Sequence, residues 1–193
     1  MHMRHQARAK FNSDYLLPLG RLYWDEEPHD VRSYRQHQSF ADGTITTQFA
    51  TAEGSITVTT WFDPIRRDLM GCEIFVQGRA SDVLFSPMLD LQVHYGQSLT
   101  AACDATLSEG LWQGEIRCLN ARSTVFLRTD AAMRKVDGGV QLSLAPGRNV
   151  LVIGVSEMPA VSAQDSLAQT RDWWRAAWAR GLWLDLPDDA AHK

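Results

Sequence analysis

The chain has 193 residues, 45% of them hydrophobic and 22% charged, with a formal net charge of −4. That length and balance suit one globular domain with a sizeable core and exclude disorder over the whole length. The 19 Lys and Arg are dispersed rather than gathered in a block, and no apolar run is long enough to span a bilayer, so neither a nucleic-acid partner nor a membrane partner is expected.

Taken in chain order, residues 1–14 are polar and basic and read as a loose arm. Their opening, Met1-His2-Met3-Arg4-His5-Gln6, is too polar for the core of a signal peptide. Residues 15–28 read as a turn-rich entry around Pro18-Leu19-Gly20. From about residue 31 to 156 the pattern is strand after strand. Ile45, Thr47 and Phe49 alternate onto one face, as do Ile56, Val58, Thr60 and Phe62, and Glu53-Gly54 joins the two runs as a hairpin. Further strands are expected at 70–77, 91–95, 111–118, 123–128 and 139–144. Residues 149–155 form a continuous apolar run, which suits a central strand covered on both faces. Turn signals every eight to twelve residues or so mark an antiparallel β-sandwich.

The character changes at Ser162. Residues 162–180 contain no β-branched run and no Gly or Pro. Ser162-Ala163-Gln164-Asp165 has capping-box spacing, and Gly181 follows Arg180 as a stop. A helix of this length is about 27 Å long, with Leu167, Trp174 and Trp178 on one stripe and Trp173 beside it. The chain divides into an arm (1–14), a sandwich (15–160) and a tryptophan-rich helix with a linker (161–193).

Candidate chemistry is sparse. Asp63, Glu73, Asp90, Glu109, Glu115 and Glu157 are scattered, and no pair has the spacing that would mark an acid and base in one cleft. His37 and His94 lack an HxH or HExxH arrangement. Cys72, Cys103 and Cys118 form neither a zinc-type pair nor an even disulfide set, so no metal and no cofactor is expected. The odd cysteine count and the polar start favour a cytoplasmic protein, unless a leader was removed. Seven tryptophans are the stronger signal. Trp61, Trp112 and Tyr34 are candidate stacking platforms for a sugar ring, against the plainer reading that each is core. Because Trp61 and Phe62 are adjacent in a strand, one of them points away from the sandwich interior. Trp173, Trp174, Trp178 and Trp183 are candidate interdomain contacts. Adjacent Trp173 and Trp174 point about 100° apart on a helix, and one sandwich face cannot easily cover both.

The run Tyr34-Arg35-Gln36-His37-Gln38-Ser39-Phe40-Ala41-Asp42-Gly43, continuing through Thr44 to Phe49, resembles a segment of certain bacterial glycoside hydrolases. These enzymes carry an N-terminal β super-sandwich, galactose-mutarotase-like in fold, ahead of an (α/α)6 six-hairpin catalytic barrel. The strands at 56–64 and 68–76 and the helix bearing Trp173, Trp174 and Trp178, followed by Leu184-Asp185-Leu186-Pro187-Asp188, resemble the same region. Gln38-Ser39-Phe40 stands where relatives carry Leu-Asp-Leu. The resemblance implies a non-catalytic N-terminal domain of an enzyme acting on oligo- or polysaccharide. Its partners would be carbohydrate and the C-terminal catalytic barrel of the same protein, and its catalytic acid and base would lie in that barrel. Two alternatives stand beside it. One is a stand-alone carbohydrate-binding module. The other is a small sugar epimerase or mutarotase pairing His37 or His94 with Glu73 or Glu115.

Overall fold

Alternating apolar residues need a surface to pair against, and the chain supplies it by stacking two antiparallel sheets. A computed structural model describes residues 2–8, 14–24, 31–66, 68–79, 81–87, 90–93, 97–118, 121–156 and 160–181. The elements in chain order are β1 (His2–Arg8), β2 (Asp14–Trp24), β3 (Ser33–Ser39), β4 (Thr44–Thr51), β5 (Gly54–Phe62), β6 (Leu69–Gly78), β7 (Ser81–Pro87), β8 (Asp90–Val93), β9 (Gln97–Thr100), β10 (Ala102–Ser108), β11 (Leu111–Cys118), β12 (Ala121–Thr129), β13 (Ala132–Val136), β14 (Gly139–Leu144), β15 (Gly147–Val155) and α1 (Ala163–Arg180). One sheet has the order β1-β2-β7-β14-β13 and the other β10-β11-β12-β15-β6-β5-β4-β3, while β8 and β9 form a separate ribbon. Among the described residues the fold is an antiparallel β-sandwich with one helix, which lies on the outer face of the eight-stranded sheet.

The main core lies between the sheets. Cys72, Ile74 and Val76 of β6, Leu151 and Ile153 of β15, and Val125 and Leu127 of β12 meet Val83 and Phe85 of β7 and Val140, Leu142 and Leu144 of β14. The period of two on each strand sorts these residues to the inner face. A second, smaller core sits on the opposite face of the eight-stranded sheet. There Trp61, Leu69 and Val152, with Val150 at their edge, are covered by Val161, Ala163 and Leu167. This explains the continuous apolar run of β15. The strand lies between β12 and β6, sends Leu151, Ile153 and Val155 into the sandwich, and sends Val150 and Val152 toward α1.

The start of the helix is as expected. Ser162 is the N-cap, accepting from the Asp165 N–H at 3.1 Å and donating to Asp165 Oδ2 at 2.7 Å. Its end differs in detail. Gly181 has φ −71° and ψ 156°, an extended geometry open to any residue, so it does not serve as a left-handed cap.

Several segments differ from expectation. Residues 2–8 are not a loose arm but β1, paired with β2 from His2↔Arg21 to Arg8↔Asp14. An edge strand held by backbone hydrogen bonds needs no apolar alternation, so its polar sequence carried no signal. Residues 14–24 are a strand rather than a turn-rich entry. The register shift between Met3 and Arg4 falls opposite Pro18-Leu19-Gly20, so the turn-forming residues sit at a bulge, where a strand tolerates them. Strands β3, β7, β9, β10 and β13 were not among the expected runs. In β10 the inward residues are Cys103, Ala105 and Leu107, two of them too small to stand out from their neighbours.

Cys72 is buried in the main core, and burial, reinforced by the neighbouring Glu73 carboxylate, pushes its thiol up to about 12 from 9.0. Cys103 is also raised, by partial burial and then Asp104. A raised folded-state value means that the folded chain holds the proton more tightly than the unfolded chain. The associated stability is full below pH 9 and is lost as pH rises toward 12. Urea midpoints measured at pH 8 and pH 10 are expected to fall over this interval, and to fall less in Cys72→Ala.

Candidate functional site

The end of β5 and the loop after it build an anchor for the helix. Trp61 Nε1–H donates to Ser166 Oγ at 3.1 Å, and the Ser166 hydroxyl donates to Asp63 Oδ2 at 3.0 Å. Asp63 also accepts from the Ile65 N–H (2.9 Å) and Arg66 N–H (2.8 Å) through Oδ1, and from Arg66 Nη1 (3.1 Å) through Oδ2. Arg66 Nη1 reaches on to Gln169 Oε1 at 2.8 Å. The Asp63 side chain is wholly buried and Arg66 partly exposed. A buried carboxylate is tolerable only with its lone pairs satisfied, and these donors satisfy them. Trp61 fits because its cross-strand partner is Gly71. A Cβ there would lie 2.1 Å from the indole.

Beyond Thr170 the helix overhangs its buried half. Trp174 lies against Gly43 in the β3–β4 turn, where a Cβ would come within 2.0 Å of the indole and φ is +65°. Both the positive φ and the close approach require glycine. Trp178 Nε1–H donates to the Phe40 carbonyl, and Arg175 pairs with Asp42 at 3.6 Å. Trp173 packs edge-on against Trp174, ring centres 5.2 Å apart.

Between the turn, the end of β5 and this part of the helix lies a cleft of about 410 Å³. Its walls are largely Phe40, Ile45, Phe62, Pro64, Trp173 and Trp174, and Gln38, Ser39, Thr44 and Thr60 are its polar side chains. Phe40 (61%), Phe62 (52%) and Trp173 (40%) are exposed. Several large apolar side chains exposed around one cleft mark a surface that meets something. A volume of this size also falls within the range of small-ligand sites.

The sequence candidates divide. Trp61 (2% exposed) and Trp112 (0%) are buried, so neither can offer a face to a sugar ring. Trp61 does point away from the sandwich interior, but α1 of the same chain covers it. Trp112 packs edge-on against Phe85 inside the main core. Of the three proposed platforms only Tyr34, 64% exposed, keeps an open ring. In the tryptophan group Trp173 is exposed and Trp174 and Trp178 are half-buried against the turn. Trp183 and His94 lie outside the described residues. His37 cannot act with Glu73 or Glu115. The row His37↔Thr46↔Thr59↔Glu73 separates the first pair by three strand spacings, about 14 Å. Six spacings, about 29 Å, separate His37 from Glu115. Glu73 is bound by Arg148 Nε at 2.6 Å and Glu115 lies 3.6 Å from Arg117. Sequence reasoning missed Phe40, Ser166 and the structural use of Asp63. The Asp63–Ser166 contact spans 103 residues, which no local pattern reveals.

Fold and site together define a class: a two-sheet antiparallel sandwich with a helix on its outer face and an aromatic cleft where that helix overhangs the sheet. Among solved structures the chain resembles a protein provisionally described as a kojibiose phosphorylase from the human microbiome, with a TM-score of 0.56 and 10% identity. The match covers 89% of this chain and 31% of that one, so this chain spans about a third of the neighbour's length. At that identity the likeness is one of fold. No family model and no curated protein matches the chain.

Proposed function

We propose that the chain is the non-catalytic β-sandwich domain of a larger carbohydrate-active enzyme, and that the cleft walled by Phe40, Phe62 and Trp173 is where it packs on the catalytic domain. The observation that carries this reading is the placement of the exposed aromatics. They gather where α1 overhangs the sheet, at the end from which residues 182–193 continue. The fold likeness to part of a kojibiose phosphorylase chain supports the same reading. In it, the sandwich runs from β1 to about residue 160, and 161–193 lead toward an (α/α)6 catalytic barrel. Carbohydrate is bound mainly by the barrel, and no residue of this chain is assigned to bond cleavage.

The test separates interface from core. Phe62→Asp and Trp173→Asp change half-exposed side chains, so each is expected to destabilise the 193-residue chain by about 1 kcal/mol, well short of a core substitution. In the whole protein the same pair is expected to lower thermal stability and activity together, because each buries an unpaired charge in the interface. Unchanged activity and melting of the doubly substituted whole protein would rule out this cleft as the contact.

A further inference from the structure

The five-stranded sheet also has an outer face, on the side of the sandwich opposite α1. Val83 and Phe85 of β7 and Val140 and Leu142 of β14 point into the main core, with Trp24 of β2 and Met133 of β13 at its margin. The period of two therefore turns their neighbours outward. Cross-strand register sets four of these in one row, Tyr23↔Leu84↔Gln141↔Arg134. Arg21↔Ser86 and Val136↔Gly139 lie beside that row.

Here the face dips into a hollow of about 300 Å³, at the lower end of the range for small-ligand sites. Tyr23, Leu84 and Val136 are its apolar walls, and Ser86, Arg134, Asp137 and Gln141 are its polar side chains. The polar groups are held in place. Gln141 is only 7% exposed although it lies on an outer face. Its Oε1 accepts from the Arg134 guanidinium, and its Nε2 donates to Asp82 Oδ2 at 3.0 Å. Amide and guanidinium thus fix each other before anything binds, which lowers the cost of ordering them around a ligand. Ser86 Oγ donates to the Gly138 carbonyl at 3.0 Å, which leaves its oxygen to accept. Tyr23 is braced as well. The Arg21 guanidinium carbon lies 4.7 Å from its ring centre, and Arg21 is not among the walls of the hollow.

The charges decide which class of ligand fits. Arg134 and Asp137 line the hollow. Arg21 stands behind Tyr23 and Asp82 behind Gln141. Two cations face two anions, so the site favours neither an anion nor a cation. Its mixture of donors and acceptors suits hydroxyl groups, each of which gives and accepts. The aromatic ring beside them suits an apolar C–H face. We propose that this hollow binds one neutral sugar unit, with its C–H face on Tyr23 and its hydroxyls bonded to Arg134, Asp137 and Gln141. The inference does not rest on the proposed function. The helix lies on the outer face of the other sheet, so the hollow is open whether or not a catalytic domain packs there.

Backbone-amide NMR shifts of the 193-residue chain, titrated separately with glucose, galactose, mannose and xylose, test it. At least one of these sugars is expected to shift the amides of Tyr23, Leu84, Gln141 and Arg134 saturably, with a Kd on the order of 1 mM. Tyr23→Ala and Arg134→Ala are each expected to weaken binding about tenfold. Both side chains are exposed, and unchanged amide shifts in β6 and β15 show that each variant is folded. Phe62→Asp, in the cleft beside α1, is expected to leave the Kd unchanged, which separates failure of the proposed interface from failure of this site. Absence of a saturable shift with all four sugars, binding indifferent to Tyr23→Ala or to Arg134→Ala, or a tighter response of the same amides to inorganic phosphate would each overturn the proposal.

Discussion

Trp61→Ala is expected to destabilise the chain by about 3–5 kcal/mol, the range for deleting a buried aromatic. It is one of the largest fully buried side chains and the centre of the small core under α1. Its removal empties the space that Gly71 leaves open for the indole and takes the donor from Ser166. Urea unfolding followed by fluorescence and by circular dichroism measures the loss. Phe62→Ala, one residue on and half exposed, is the matched control and should cost less than about 1 kcal/mol. If Trp61→Ala cost no more than that control, the helix would not be held by this indole. Adjacent aromatics in a strand thus predict opposite outcomes, because the period of two sends one beneath the helix and the other to the rim of the cleft.

Asp63→Ala is expected to cost about 3–5 kcal/mol by a different route. Removing the carboxylate strands the Ile65 and Arg66 N–H groups and the Ser166 hydroxyl without their acceptor. Asp63→Asn keeps one carbonyl oxygen, and the cost should fall to about 1–3 kcal/mol. The two sites share Ser166, so their effects should not add. A Trp61→Ala/Asp63→Ala cycle is expected to give a coupling of about 0.5–3 kcal/mol, as for residues in one hydrogen-bond network. Strict additivity would mean that the indole and the carboxylate act on the helix independently.

These two residues also show what the sequence made legible. Alternation at 43–49 and 55–62 identified β4 and β5 and the faces of their side chains. The apolar run at 149–155 identified β15 as a central strand with two covered faces. Ser162 and Asp165 identified the start of α1. What covers each face is set by contacts between residues far apart in the chain. Trp61 therefore read as a platform, although Ser166 and Leu167 lie over it. Asp63 read as one scattered carboxylate among several, although its role is to fasten α1 to the β5–β6 loop. Strand β1 was illegible for another reason: backbone pairing at an edge leaves little trace in side-chain pattern, and in β2 the turn-forming residues at the bulge masked the strand. Within the site, Trp173 and Trp174 were legible as a pair asking for two covered surfaces. The structure supplies one of them, the β3–β4 turn at Gly43, and leaves Trp173 open.

The proposed function makes this sandwich part of a larger carbohydrate-active protein. Intact mass of the protein isolated from its native source tests it most directly. The expected result is a polypeptide well above the 21.7 kDa of these 193 residues, continuing without interruption past Lys193 into a helix-rich domain. A native species with the mass of this chain alone would contradict it.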